Sequence, residues 1–430
     1  MRVPRLAAPA RLLALWLAVL ALAAPLVPWT HADPTDEVEW TAIAILHWQQ
    51  LTRGGPPAGL EFEGQAERAA GVWRSGAQRT LFGFPSANLP KLVWGAALDL
   101  AGERRADAIV FDTFEHRDPA RGARAARELE RAVRVARGVT FAVFGLAGAL
   151  LAWLACALLP GRAGRACGAL ALVLWLATPA VRESATFVRG DHFMVAGTLA
   201  TLLGCLRAGE RRDARTAAWL GLLCGLTVSA KLNGVFVVPV VALWWLVPRP
   251  RAALATAALL VAVACATFCA LHPYLWDAPL TGLEAALGRW RWMRDFLRED
   301  WAVRARLVAP VGFAEGWSLF ARRLCVLEDP WRALCTLPLR PLLLPAGLAL
   351  AAAAAWRPGE AGARSGARLL VLAVVGVGLG TAAWLPIDWP RYWLPALALA
   401  CLLEARLVVE LVGRIARRRA TRKPGAAQVP

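Results

Sequence analysis

Ten apolar runs limit what this chain can fold into. They fall at about residues 12–29, 139–159, 166–180, 192–206, 216–229, 234–247, 252–271, 341–356, 369–386 and 392–412. Several approach the roughly 20 residues with which a helix crosses the hydrocarbon core of a bilayer. A soluble domain has no interior large enough to hide so many. A bilayer accepts them as helices, whose backbone hydrogen bonds are all internal. The composition agrees: of 430 residues, 58% are hydrophobic and 19% charged, against about 45–50% and about 25% in soluble domains. The expected fold class is an all-α polytopic membrane protein, with about ten transmembrane helices, interfacial helices and two large periplasmic loops.

The arginines sort by loop. Arg2, Arg5 and Arg11 precede the first run, Arg162 and Arg165 follow the second, and Arg207, Arg211, Arg212 and Arg215 follow the fourth. Arg249 and Arg251 follow the sixth run, Arg357, Arg364 and Arg368 the eighth, and Arg414, Arg417, Arg418, Arg419, Arg422 and Lys423 the last. Every second loop is therefore short and basic, which is the positive-inside pattern with both termini cytoplasmic. The net charge of +18, from 49 Lys plus Arg against 31 Asp plus Glu, then reports orientation, and no nucleic acid is expected as a partner. Residues 216–247 form one apolar stretch, yet Arg215 and Arg249 give both of its ends cytoplasmic character. Two short helices with a bend near Ser229–Gly234 meet both conditions, with Lys231 and Asn233 at the outer bend. The first run also fits a signal peptide, with Thr30-His31-Ala32 as its cleavage site. Either way, the chain after residue 30 emerges on the outer face.

The expected division is a first transmembrane helix over 1–30, a first periplasmic loop with interfacial helices over 31–136, and transmembrane helices 2–7 over 137–272. A second periplasmic loop over 273–340, transmembrane helices 8–10 over 341–413 and a basic cytoplasmic tail over 414–430 follow. Within the first loop, apolar spacing predicts helices over 38–51 and 89–100, with tryptophans suited to the membrane surface. Residues 53–87, rich in Gly and Pro, read as loop, and residues 118–137 as a charged helix feeding the second span. In the second loop, Trp290, Trp292, Trp301, Trp317 and Trp331 suggest a cap folded against lipid headgroups. Most cysteines lie in or beside apolar runs, where a free thiol behaves as a small hydrophobe. Cys325 and Cys335 could pair if their loop is periplasmic. No spacing suggests a zinc site.

Four groups of residues could carry chemistry. Asp33-Pro34-Thr35-Asp36-Glu37 follows the first span, where a partly buried carboxylate can act as a general base; a solvated acidic start to the helix near Val38 explains the same residues. Arg182-Glu183 and Arg189-Gly190-Asp191 sit at the outer junction of the third and fourth spans. The arginines could meet a phosphate with Asp191 holding one of them, or they could form an ion pair that caps two helices. Lys231, one of three lysines in the chain, lies with Asn233 and Gly234 at the bend, as a point charge for phosphate or as a side chain snorkelling to headgroups. His272-Pro273-Tyr274 and Asp388-Trp389-Pro390-Arg391-Tyr392 hold both tyrosines of the chain. An aromatic belt accounts for the tyrosines, but not for Arg391 between two apolar spans. All four groups share the outer membrane plane, where a lipid phosphate lies. Secondary transporters instead place their sites near the midplane and usually show repeats.

The motifs resemble, in order, those of the C-type membrane glycosyltransferases of the protein O-mannosyltransferase class and their bacterial relatives, which include the lipid A aminoarabinose transferases. Asp36-Glu37-Val38 looks like the family's acidic first-loop motif. Asn88-Leu89-Pro90-Lys91-Leu92 with Gly95 resembles the segment before its second interfacial helix, and Arg134 to Phe144 the start of its second span. Thr178-Pro179 through Arg182-Glu183 to Asp191 is similar to the junction opening the fourth span. The stretch 221–239 (GLLCGLTVSAKLNGVFVVP) resembles a Gly-Leu, Gly-Leu, Lys-x-Asn-Gly pattern. His272-Pro273-Tyr274-Leu275 and Arg391-Tyr392-Trp393-Leu394-Pro395 complete the set. The resemblance runs to residue 412. It departs at Leu232, where the family commonly has an aromatic residue, and in the second large loop.

The resemblance implies the C-type glycosyltransferase fold, a place in the bacterial inner membrane, and inverting transfer of a sugar from a polyprenyl-phosphate to a hydroxyl on a protein, lipid or glycan at the outer face. It implies Asp36 as the base and Glu37 as the residue that orients the acceptor or Asp36. Arg189, Lys231 and Arg391 would hold the donor phosphate, supported by Arg182, Asp191, Asn233, His272 and Tyr392, with Asp191 positioning an arginine. The scheme requires no cofactor or metal, because side chains supply the cations. A transporter or flippase of lipid-linked sugars, a polymerase or ligase using a diphosphate-linked donor, and an inactive scaffold are the alternatives.

Overall fold

The structure is a computed structural model that describes residues 8–29, 35–53, 88–104, 127, 129–209, 211–247, 250–272, 275, 295, 309, 313–356, 361–384 and 390–422. Among the described residues every regular element is helical. Three helices, Glu130–Leu158, Ala253–Ala270 and Gly362–Trp384, are long and apolar enough to cross a membrane. A fourth span results if Ala314–Cys335 and Arg340–Trp356, bent by 105° at their junction, count as one. Ten spans are therefore not reached on length and composition. Other apolar helices, such as Pro9–Ala23, Ala214–Ala230 and Leu232–Leu246, are shorter, and the last helix carries Glu404, Arg406 and Glu410.

α1 (Ala8–Ala23) packs on α4 (Glu130–Leu158), with the Trp16 indole donating to the Ala142 carbonyl at 2.7 Å. α4 also packs on α5 (Gly161–Ala177) and α7 (Asp191–Ala208); between these two lies α6 (Pro179–Ser184), with Pro179 at the first helical position. Before α4, α2 (Thr35–Arg53) and α3 (Asn88–Leu100) pair with each other, matching the two helices expected in the first loop. Their apolar faces, with Val38, Ala42, Trp94 and Leu98, join Phe193 and Met194 of α7 in a separate small core. Of the Gly- and Pro-rich loop expected over 53–87, Arg53 is the last residue of α2 and residues 54–87 lie outside the described residues.

α8 (Ala214–Ala230) starts on an Asp213 side chain that accepts from the Thr216 N–H at 2.8 Å, a capping bond. It gives way at Lys231 to a 3-10 turn (Leu232–Phe236) and α9 (Val237–Leu246), inside the window expected for the bend. Arg212, just before α8, donates to the Trp245 carbonyl near the end of α9 at 3.2 Å and lies over the Trp244 and Trp245 rings. The two helices thus turn back on each other. α8 packs most closely on α10 (Pro250–Ala270). A Cβ on Gly221 would lie 2.4 Å from the Leu260 carbonyl oxygen, and one on Gly225 would lie 2.6 Å from that of Ala264. This Gly-x-x-x-Gly face lets two backbones touch where lipid supplies no hydrophobic drive for association.

After α10 come α11 (Phe313–Arg322), a π-helical turn, α12 (Pro330–Cys335), α13 (Arg340–Trp356), α14 (Ala361–Trp384) and α15 (Leu394–Arg422). Most of the expected tryptophan-rich cap lies outside the described residues. Cys325 and Cys335 are both free thiols, so the bridge left open by the sequence is not formed. Arg340 and Glu404 are fully buried and paired at 2.5 Å. The Trp331 indole donates to the other Glu404 oxygen at 2.9 Å, and Arg340 donates to the Glu328 carbonyl at 2.9 Å. This network ties the bent segment to α15. Replacing Glu404 by Leu would strand a buried guanidinium and is expected to cost about 3–5 kcal/mol, much of it restored by adding Arg340→Met. Thermal melts in detergent would test this; equal melting of the single and wild-type proteins would refute it.

The loops sort to opposite ends of the bundle. Gly366, near the start of α14, lies beside Leu158 of α4 and Leu206 of α7, and Trp244 donates to Ser365. The C-terminal ends of α4, α7 and α9 and the start of α14 therefore share one end of the bundle. Asp191, Lys231 and Tyr392 meet at the other.

Candidate active site

The site begins where α8 breaks. Lys231 takes an extended backbone, and a Cβ on Gly234 would lie 2.4 Å from the Thr227 carbonyl oxygen, so the 3-10 turn is pressed onto the last turn of α8. This fixes Lys231 at the lip of the turn. Its ammonium pairs with the carboxylate of Asp191, the first residue of α7, where the N-terminal end of the helix dipole favours negative charge. The same ammonium lies 4.6 Å from the centroid of the Tyr392 ring, and the Arg391 guanidinium lies 5.5 Å from that centroid. Three chain segments thus bring two cations, one acid and one phenol together.

A small pocket opens beside them. Asn233 and Tyr392 contribute polar atoms to its wall, and Met194, Phe236, Val237 and Val377 line much of the rest. Thr198 and Thr381 add hydroxyls to the same wall.

Asp36 lies in the first turn of α2, and its side chain is outside the described part of the structure. Glu37 beside it is fully buried, and both of its carboxylate oxygens meet the Arg137 guanidinium of α4. Glu37 also accepts the Val188 N–H at 3.2 Å, while Arg137 donates to the Trp29 carbonyl at 2.7 Å. One carboxylate therefore joins the start of α2, the start of α4 and the segment that leads through Arg189 into Asp191. That bond ties the helix start that carries Asp36 to the segment leading into Asp191. Glu37→Gln is expected to lower the melting temperature and loosen the 185–190 segment, because it leaves Arg137 without its counter-charge. Unchanged melting and unchanged amide exchange at Val188 would refute this.

The expected residues distribute as follows. Lys231, Asp191, Tyr392 and Arg391 come together, with Asn233 on the cavity wall. Asp191, expected to position an arginine, is paired with Lys231 instead, because the break at Ala230 puts the lysine against the start of α7. Arg189 stacks 4.2 Å from the Phe187 ring centroid. Arg182 Nε is buried with no hydrogen-bond partner. His272 lies just past α10 and faces the buried Lys91 and His47 of α3 and α2. Pro273 and Tyr274 lie outside the described residues. Sequence reasoning missed Arg137 and His47. The only signal for Arg137 was an arginine held at the apolar start of a span, and for His47 there was none. Among the described residues, no three His, Cys, Asp or Glu side chains form a metal-binding set.

No family model and no curated protein matches the sequence. Among solved structures, the fold is similar to that of the Archaeoglobus fulgidus oligosaccharyltransferase, an archaeal membrane glycosyltransferase. Against its crystal structure in complex with Zn and sulfate, the TM-score is 0.54 at 12% identity over 95% of this chain and 50% of that one. For the A. fulgidus enzyme AglB in complex with an inhibitory peptide and a dolichol-phosphate, the values are 0.51, 12%, 98% and 53%. For the enzyme tethered to an acceptor peptide containing the NVT sequon, they are 0.50, 12%, 96% and 51%. The chain spans about half the length of these proteins, and at this identity the likeness is one of fold.

Proposed function

We propose that this protein is a membrane glycosyltransferase that moves a sugar from a polyprenyl-phosphate donor to a hydroxyl acceptor at the outer face of a bacterial inner membrane. The observation that carries the reading is the Lys231, Asp191, Tyr392 and Arg391 group, beside a small pocket that Tyr392 and Asn233 help to line, tied through Glu37 to the helix start that holds Asp36. A lipid-linked phosphate needs cations for its oxygens and an apolar surface for the first part of its tail, which Met194, Phe236, Val237 and Val377 offer beside them. The likeness in fold to an oligosaccharyltransferase solved with a dolichol-phosphate and with peptides supports the same class of donor.

In the proposed step, Asp36 takes the proton of the acceptor hydroxyl as its oxygen attacks the anomeric carbon. The bond from that carbon to the phosphate oxygen breaks on the opposite face, and its electron pair leaves with the polyprenyl phosphate, so the sugar inverts. Lys231 and Arg391, with Arg189 nearby, stabilise the charge that builds on the leaving phosphate, as fixed cations do in a low dielectric. Arg182, Asn233, His272 and Tyr392 support this group.

The same reading places the basic loop ends and both termini in the cytoplasm, completes ten crossings from the shorter helices, and puts residues 31–136 and 273–340 on the periplasmic side. Protein purified in detergent, where transport is impossible, is expected to transfer labelled sugar from a polyprenyl-phosphate donor. Failure to transfer there, with movement of the same lipid across vesicles, would establish a flippase instead.

A further inference from the structure

A second polar group lies between α2 and α3. Trp40 and His47 are two turns apart on one face of α2, and Asn88 and Lys91 one turn apart on a face of α3. Lys91 Nζ donates to Asn88 Oδ1 at 3.2 Å and lies 5.6 Å from the Trp40 ring centroid. With its oxygen engaged by the ammonium, Asn88 leaves its amide nitrogen buried and without a hydrogen-bond partner. His47 Nε2 is in the same condition. The two side chains are 0% and 7% exposed, so bulk water does not serve these atoms. A buried polar atom left unmet is costly, and two of them near one lysine call for something to bind there.

The atoms define what that is. Burial, with Lys91 and His272 nearby, pushes the His47 pKa down to about 3, so its imidazole is neutral at physiological pH, and burial alone brings Lys91 down to about 7. The Asn88 amide nitrogen donates. The neutral imidazole nitrogen donates or accepts according to tautomer. A hydroxyl does both, so neighbouring hydroxyls on one ring satisfy the two atoms together, with the aromatic surface of Trp40 beside them. We infer that His47 and Asn88, with Lys91 and Trp40, form a subsite for a sugar ring, supplied by either the donor or the acceptor of the transfer. This inference rests on the transferase reading and adds the group that recognises the glycosyl unit, extending along α2 from about 6 Å (Trp40) to about 17 Å (His47) from Asp36.

Saturation-transfer NMR on the full-length protein in detergent tests it, with methyl glycopyranosides of gluco, manno, galacto and arabino configuration as probes. Wild-type protein is expected to saturate ring protons of at least one probe. Asn88→Leu and His47→Phe should each weaken that signal about 5- to 30-fold. If Asn88→Leu fails to fold, His47→Phe, which keeps an aromatic ring in place, carries the test. Absence of signal in wild type, equal signal in the variants, or displacement by inorganic phosphate would each overturn the inference. In turnover assays, a raised KM for the lipid-linked donor assigns the ring to the donor, and a raised acceptor KM assigns it to the acceptor. If neither KM moves, the subsite is refuted although the transferase reading stands. Glycoside binding without any transfer keeps the subsite and sinks only the transferase reading.

Discussion

Asp36→Asn is expected to reduce kcat by about 10²- to 10⁴-fold, the range that a positioned general base contributes, while the protein still folds and inserts. The fold should survive because Asn serves the start of a helix as well as Asp does, and because the bonds that fix this end of α2 belong to Glu37. That carboxylate holds Arg137 and the Val188 N–H, so α2 stays docked when its neighbour loses its charge. The loss should fall on kcat, with donor KM little changed, since the base acts on the acceptor hydroxyl in the transition state. Turnover near wild type in purified Asp36→Asn protein would remove Asp36 from the chemistry.

Lys231→Ala is expected to lower kcat/KM for the polyprenyl-phosphate donor by about 10²- to 10³-fold, as the loss of one fixed charge-stabilising group does elsewhere. It also strands Asp191, whose carboxylate is 4% exposed, although Lys231 itself is 19% exposed and water offsets part of that cost. The two effects separate in a second variant. Lys231→Met combined with Asp191→Asn removes both charges and should melt near wild type, yet should bind donor no better than Lys231→Ala. Donor affinity restored along with stability would mean that the lysine only anchors α7. Unchanged donor affinity in Lys231→Ala would return it to a structural role at the membrane surface.

Much of this was legible in the sequence. The helix break at Lys231 followed from arginines at both ends of one apolar stretch, and the two helices of the first loop followed from their periodicity, because both are local properties. The span count was less legible. Helices such as Ala214–Ala230 carry the apolar composition of a crossing but stop short of its length, since a helix that turns at a polar site gives up residues to the turn. His47, Asn88 and Lys91 gave no joint signal, because their two helices are separated by a long loop and meet only in the fold.

The sequence by itself determined a helical membrane protein whose charges collect at two ends, with basic loops at one and scattered acids and cations at the other. That much follows from the cost of placing charge or open backbone in hydrocarbon. Only the tertiary structure decided which acid serves which cation. Asp191 meets Lys231 across 40 residues and Glu37 meets Arg137 across 100. Coulomb attraction and hydrogen bonding act over a few ångströms of space and are indifferent to separation along the chain.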